Sequence, residues 1–285
     1  MKKSGSSLVK VALCIIAAGI ILTIIAYCFG ASMRSYYYNG KRVDLVNFEQ
    51  SYGRNTAESL TVDIDAGEVI IESGDEFRVS ASYISESDFR VWSEDGVFYV
   101  SDTQTEWNRG FRLLPFIRLG RAPEIRITVP KDLILAEVEI NIGAGSVKAR
   151  NMDIGQLNVE TGAGEFKGKD ITVRNSGSIS VDVGSAKLEN FSGNNVELNC
   201  NVGSIRMDGD LTGTTEASCD MGEIKLELTR RESDYNYQVD CDMGNVIINN
   251  HKRSGFGNDW SNYSRERAHN LNLDCNLGSI RVETE

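Results

Sequence analysis

The chain has 285 residues, 41% of them hydrophobic and 25% charged, with 27 glycines, a balance that excludes a disordered tail or a collagen. Thirty Lys and Arg against 41 Asp and Glu give a net charge of −11, which argues against nucleic acid as a partner. Only His251 and His269 are present, so most His-based catalysis and His-rich metal sites are removed, and neither cofactor nor metal is expected.

From residue 11 to residue 33 there are 23 residues without a charge. At a helical rise of ~1.5 Å this stretch covers roughly 35 Å, enough to cross a hydrocarbon core of ~30 Å. Lys2, Lys3 and Lys10 precede it, while Arg34, Lys41 and Arg42 follow. The small positive-inside bias puts residues 1–10 in the cytoplasm and the bulk of the chain outside. A cleaved signal peptide has a shorter apolar run and ends on small residues; Cys28-Phe29-Gly30 fits that poorly. The expectation is an uncleaved single-pass anchor in the cell membrane. Residues 34–57, with Tyr36, Tyr37 and Tyr38 in succession, read as an interfacial stalk.

From residue 58 onward one pattern recurs: apolar, any, apolar, Gly, often Ser or Glu, apolar, any, apolar. Eight copies centre on Gly67, Gly145, Gly164, Gly184, Gly203, Gly222, Gly244 and Gly278. Successive spacings are 78, 19, 20, 19, 19, 22 and 34, so six anchors fall at about 20-residue intervals and the large gaps are insertions, at 72–137 and 249–270. Around each anchor apolar and polar residues alternate, the period of a strand with one buried face. The inward set at Gly203 reads Leu198, Cys200, Val202, Ile205 and Met207; at Gly222 it includes Met221, and at Gly278 Leu277. A second glycine about ten residues on, as at Gly155, Gly193 and Gly213, suggests two strands and two bends per copy. Such small units bury their apolar face only by stacking at ~4.8 Å, which predicts an all-β, single-handed β-solenoid, parallel β-helix-like. No proline follows Pro130, in keeping with backbone N–H groups held in a ladder.

Two columns of this repeat invite chemistry. Cys200, Cys219, Cys241 and Cys275 each stand three residues before an anchor glycine and stack on one interior line. A zinc site brings ligands in closer pairs, and in-register neighbours approach each other poorly for a disulfide, so buried free thiols are the plainer reading. Two residues before the anchors stand Asp65, Asp182, Asn201, Asp220, Asp242 and Asn276, a row suited either to calcium or to turn backbone. Turn chemistry fits better, because no Gly-Gly-x-Gly-x-Asp repeat is present.

The stretch Ile127-Thr-Val-Pro130, then Val138-Glu-Ile140, Gly143-Ala-Gly145-Ser-Val147 and Thr161-Gly-Ala-Gly164-Glu-Phe166, resembles the bacterial putative adhesin family, a domain of unknown function. The resemblance covers roughly residues 58–285. It implies repeated glycine turns along a β-solenoid behind a single membrane span, and a surface-exposed, non-enzymatic binding or envelope-stress role, mostly in Gram-positive bacteria. It supplies no catalytic residues. Here Ser or Glu replaces the usual Asp after the glycine, and the cysteine line is an addition.

Binding is expected to lie in the insertions. In the first, Phe89–Trp92 and Val97–Val100 flank Asp95-Gly96, a hairpin signal. Farther on, Trp107, Arg109, Phe111, Arg112, Arg118 and Arg121 form a basic, aromatic stretch without acid, which fits either an anionic contact or a cap over the first coil. The second insertion reads as a polar surface loop. Two functions compete. One is a membrane-anchored solenoid binding an envelope or surface macromolecule. With the three N-terminal lysines inside, 27 basic residues against 41 acidic ones leave −14 outside, suited to cationic peptides. The other is a β-helix enzyme acting on polysaccharide, which needs paired carboxylates that the pattern does not single out. With only ten residues inside, a signalling accessory would depend on another protein.

Overall fold

The computed structural model describes residues 35–38, 41–102, 122–249, 251–256 and 260–285. The expected anchor at residues 11–33 lies outside these, and among the described residues no helix is long and apolar enough to cross a membrane. The described chain is all-β apart from one 3-10 turn at Glu232–Asp234. Its strands are β1 (Ser35–Tyr38), β2 (Lys41–Tyr52), β3 (Ser59–Gly74), β4 (Phe77–Ser85), β5 (Arg90–Glu94), β6 (Val97–Asp102), β7 (Glu124–Pro130), β8 (Leu135–Leu228), β9 (Tyr235–Ile248), β10 (His251–Phe256), β11 (Trp260–Asn262) and β12 (His269–Thr284). Of the residues read from the sequence as stalk, 41–44 pair with β1 and 45–52 pair with β4 within the sheet.

β8 is one extended ladder that winds through successive coils. Glycine contacts give their stacking, because a β-carbon on each anchor would strike the carbonyl of the rung beneath. On Gly164 it would lie 1.8 Å from Gly145 O, on Gly184 1.8 Å from Gly164 O, and on Gly203 1.8 Å from Gly184 O. With φ near +140° and no room for a side chain, only glycine fits this corner. A second corner falls six residues later, where Asn151, Asp170, Asn190 and Gly209 all have positive φ. Buried positions also shift phase there, and shift again before the next strand, so each coil has three straight runs, one more than the sequence pattern suggested. The interior is continuous: Val138, Ile140, Val159, Phe166, Ile179, Leu188, Leu198, Ile205 and Leu226 are all essentially inaccessible to solvent.

The rungs do not follow sequence order at the end. Gly278 packs on Gly222, and Gly244 packs on Gly278. β12 therefore lies between the last coil of β8 and β9, parallel to both, with Cys275 opposite Cys219 on one side and Cys241 on the other. The C-terminal strand is thus an interior rung of the stack. The edge belongs to β9, and the second insertion covers it: β10 and β11 both pair antiparallel with β9, and Trp260 packs against Tyr237 at 5.4 Å. At the other end the first insertion adds strands to the sheet. Residues 59–64 of β3 take β6 as their outer neighbour, and residues 68–74 take β7, which carries β4, β2 and β1 beyond it. The β5–β6 hairpin turns on Asp95 and Gly96, both with positive φ.

One part of the expected core lies outside. Val202, Met221 and Leu277, with Val183 and Met243, are 43–55% exposed. Each directly precedes an anchor glycine, and the bend there rotates it out of the alternation that would have buried it. The five side chains stack along one corner of the coil.

Candidate binding surface

Each coil presents its first straight run, the residues leading to the anchor glycine, as one flat outer face. In stacking order its outward pairs are Thr61/Asp63, Glu139/Asn141, Asn158/Glu160, Ser178/Ser180, Glu197/Asn199, Glu216/Ser218, Asn272/Asp274 and Gln238/Asp240. These positions hold carboxylates, amides and hydroxyls and not one Lys or Arg. In the middle the face dips into a depression of about 460 Å³ lined by Glu137, Asn158, Ser176, Ser178, Asn195, Glu197, Thr214 and Glu216. The dip has a local cause: one rung carries Ser176-Gly177-Ser178 between rungs bearing Gln156-Leu157-Asn158 and Asn195-Val196-Glu197. Small side chains on that rung leave a hollow between longer ones.

Charge crowding on this face shows at Asp63. Burial, then the charges of Asp65 and Glu139, hold its carboxyl above the usual range.

The next straight run is built differently. Lys148, Lys167, Lys187, Arg206, Lys225 and Arg281 stand three residues after their anchors, one above another. Stacked like charges repel, and each is offset by an acid on the same face. Lys148 meets Glu68 at 2.5 Å, Lys167 meets Glu165 at 2.5 Å, and Arg206 meets Glu223 at 2.8 Å. Lys187 pairs with Glu189, Lys225 with Glu227, and Arg281 with Glu283 at 3.7 Å. The hydrogen bond and charge of Lys187 lower the Glu189 carboxyl.

Between the two faces runs the turn row. Asn201 Nδ2 donates to Asp182 Oδ1 at 3.1 Å, and Asn276 Nδ2 donates to Asp220 Oδ1 at 2.8 Å. The alternation of Asp and Asn makes a side-chain ladder that ties rung to rung. Among the described residues no group of three or more His, Cys, Asp or Glu is arranged to hold a metal. The four cysteines are buried, unbonded thiols, and they touch in the order 200, 219, 275, 241. Burial pushes the Cys200 thiol up to about 11, and a hydrogen bond with Cys219 together with burial raises Cys275 further. A hydrogen bond with Cys275 lowers the Cys219 thiol in turn, and all four side chains, buried in the interior, serve as small core groups.

At the β5 end the polar face continues onto aromatic residues. Trp92 lies opposite Tyr99, and Tyr99 lies opposite Thr61. The two rings stack at 4.8 Å with an interplanar angle of 8°. Sequence reasoning marked this hairpin but not its outward ring pair, although alternation from the Asp95-Gly96 turn places both rings on one side. The residues singled out from the sequence for binding, Trp107, Arg109, Phe111, Arg112, Arg118 and Arg121, lie outside the described residues.

A family model described as Toastrack DUF4097 matches residues 57–279. The chain belongs to that family. The Toastrack match spans every anchor glycine from Gly67 to Gly278 and agrees with the adhesin-family resemblance of the repeat. Among solved structures, the chain is similar to a putative cell adhesion protein from Clostridium sporogenes, with 13% identity, 85% of this chain and 100% of that one covered, and a TM-score of 0.34. It is also similar to a putative adhesin from Bacteroides fragilis (10% identity, 83% and 97% covered, TM-score 0.33). A third is a putative lipid binding protein from Parabacteroides distasonis (11% identity, 84% and 94% covered, TM-score 0.28). No curated protein matches the chain.

Proposed function

We propose that this Toastrack chain is a non-catalytic binding module displayed outside the cell membrane, held by residues 11–33 with residues 1–10 inside, and that its polar face takes a cationic macromolecule of the envelope or cell surface. The observation that carries this reading is the contrast between adjacent faces of the same coils. One pairs its bases with acids; the other repeats Asp63, Glu139, Glu160, Glu197, Glu216 and Asp274 along the stack with no base at its outward positions. Ionised side chains of one sign on one surface raise the local concentration of opposite charge and speed its capture, in a manner that salt suppresses. A cationic peptide is the simplest probe of this surface. The basic, aromatic segment of residues 107–121 is proposed as a second contact.

The test uses the full chain in detergent, incubated with isolated cell envelopes and, separately, with a cationic peptide. The account expects capture that weakens with salt and falls at least tenfold in the double variant Glu197→Lys/Glu216→Lys, while Lys187→Glu/Lys225→Glu retains it. Capture that ignores both salt and the first variant would overturn the proposal. For the second contact, changing Arg109, Arg112, Arg118 and Arg121 together to Ser is expected to weaken envelope capture with the far-ultraviolet β signature intact.

A further inference from the structure

The face offers a ligand only side chains. Its backbone N–H and C=O groups are taken up by neighbouring rungs, since β3, β8, β12 and β9 each pair in register with the next. An extended peptide seeks a free sheet edge or apolar pockets for its side chains. This surface has neither; its large exposed apolar residues stand on the corner beside it, at Val183, Val202, Met221, Leu277 and Met243. What it offers instead is a regular grid of carboxylates, amides and hydroxyls, repeated at the ~4.8 Å rung spacing. Such groups match a polymer whose every unit carries hydroxyls and whose advance per unit is close to one rung, which describes a β-linked hexose chain.

The hairpin end supplies what a sugar ring requires besides hydrogen bonds. Trp92 is 39% exposed and has Tyr99 against one ring face. Among the described residues β5 pairs with β6 alone, so no further described strand lies beyond the other face. A flat indole open on one side accepts the C–H face of a sugar, and its quadrupole also attracts a cation held above it. From Trp92 the same outward row passes through Tyr99 and Thr61 to Glu139, about three strand spacings or ~14 Å away. Asp63 stands next to Thr61 on that face, and the groove at Ser176–Gly177–Ser178 lies two rungs beyond Glu139. Carboxylates without bases disfavour an acidic polysaccharide and favour one that bears ammonium groups.

Resting on the binding reading above, we infer that the ligand is an amine-bearing glycan strand laid across the rungs of the polar face, its terminal sugar stacked on the open side of Trp92 and its ammonium groups directed to Asp63, Glu139, Glu197 and Glu216. The basis is the juxtaposition of one open aromatic platform with a base-free polar ladder.

The probes are a glucosamine hexamer, its fully N-acetylated counterpart, and an oligolysine of equal charge, each titrated into the full chain in detergent and followed by calorimetry. The glucosamine hexamer is expected to bind more tightly than the N-acetylated form by tenfold or more, and more tightly than the glucosamine dimer. Trp92→Ala should weaken the hexamer at least tenfold at unchanged Tm, and Trp92→Phe should recover most of the loss. Oligolysine binding should ignore both variants. If oligolysine binds as well as the glucosamine hexamer and Trp92→Ala changes neither, the glycan inference is overturned while the cationic-partner reading stands. If neither probe nor envelope material binds, both fail together.

Discussion

Two outer faces of the same coils share one core, one rung spacing and one glycine corner, yet they manage charge in opposite ways. On the run after the corner, six stacked bases each find an acid within ion-pair distance. On the run before it, the outward positions repeat acids and hold no Lys or Arg, and burial with the charges of Asp65 and Glu139 raises the Asp63 carboxyl. Folding alone needs only that outward positions be solvated. The neighbouring face solvates its outward positions with paired bases and acids, and the proposed binding role accounts for the difference.

The largest expected effect removes both faces at once. Gly203→Val puts a side chain where a β-carbon already lies 1.8 Å from Gly184 O. Forcing two rungs apart at a strained corner should cost more than about 4 kcal/mol, seen as loss of a cooperative thermal transition. A core deletion is next: Leu198→Ala empties a fully buried position and should cost about 2–5 kcal/mol by chemical denaturation, without changing which face binds.

Smaller effects separate the faces. Lys187→Glu/Lys225→Glu breaks solvent-exposed ion pairs, which water and salt screen, so Tm should fall only slightly while envelope capture persists.

His269 opens the intercalated strand β12 and tests that joint by pH. Its Nδ1 accepts a hydrogen bond from the Gly213 backbone N–H at 3.1 Å. Burial, then the charge of Arg230, lowers its pKa below 6.5, while Asp210 and Asp234 act in the opposite sense. A depressed histidine contributes stability above the unfolded pKa and loses it as pH falls through the folded one. The Tm difference between the wild type and His269→Gln should therefore shrink as pH is lowered below about 6.5. The smallest effect is at Asp63. Its raised pKa favours the protonated form, so its contribution is present at acid pH and lost as pH rises through the folded value. Asp63→Asn should stabilise the fold at neutral pH, by less than about 1 kcal/mol after solvent screening, read by chemical denaturation.

Much of this architecture was legible because a solenoid repeats its constraints. The glycine at each corner, the cysteine line and the Asp/Asn row are visible at fixed phase, and the structure gives them a common cause in stacked bends. Local alternation could not reveal where a bend rotates the chain, so Val202, Met221 and Leu277 looked buried and are not. Nor could it reveal rung order. The spacings of 22 and 34 mark insertions but carry no information on whether Cys275 follows Cys241 or sits between it and Cys219, since all the rungs present equivalent edges. The candidate face is not visible in the sequence because its members are spread 19–20 residues apart over most of the stack and individually resemble solvated surface. Only stacking shows that the column holds no base. Trp92 and Tyr99 were noticed as hairpin residues, but their place at the end of that column depends on β6 pairing with β3.

The central claim, that the base-free face is the one engaged, is tested most directly by carbodiimide footprinting of carboxylates on the full chain, with and without saturating envelope fragments. The account predicts that Glu137, Glu139, Glu197 and Glu216 become protected while Glu72, Glu227 and Glu283 label as before. Protection of the second set, or of neither set under conditions of demonstrated binding, would contradict it.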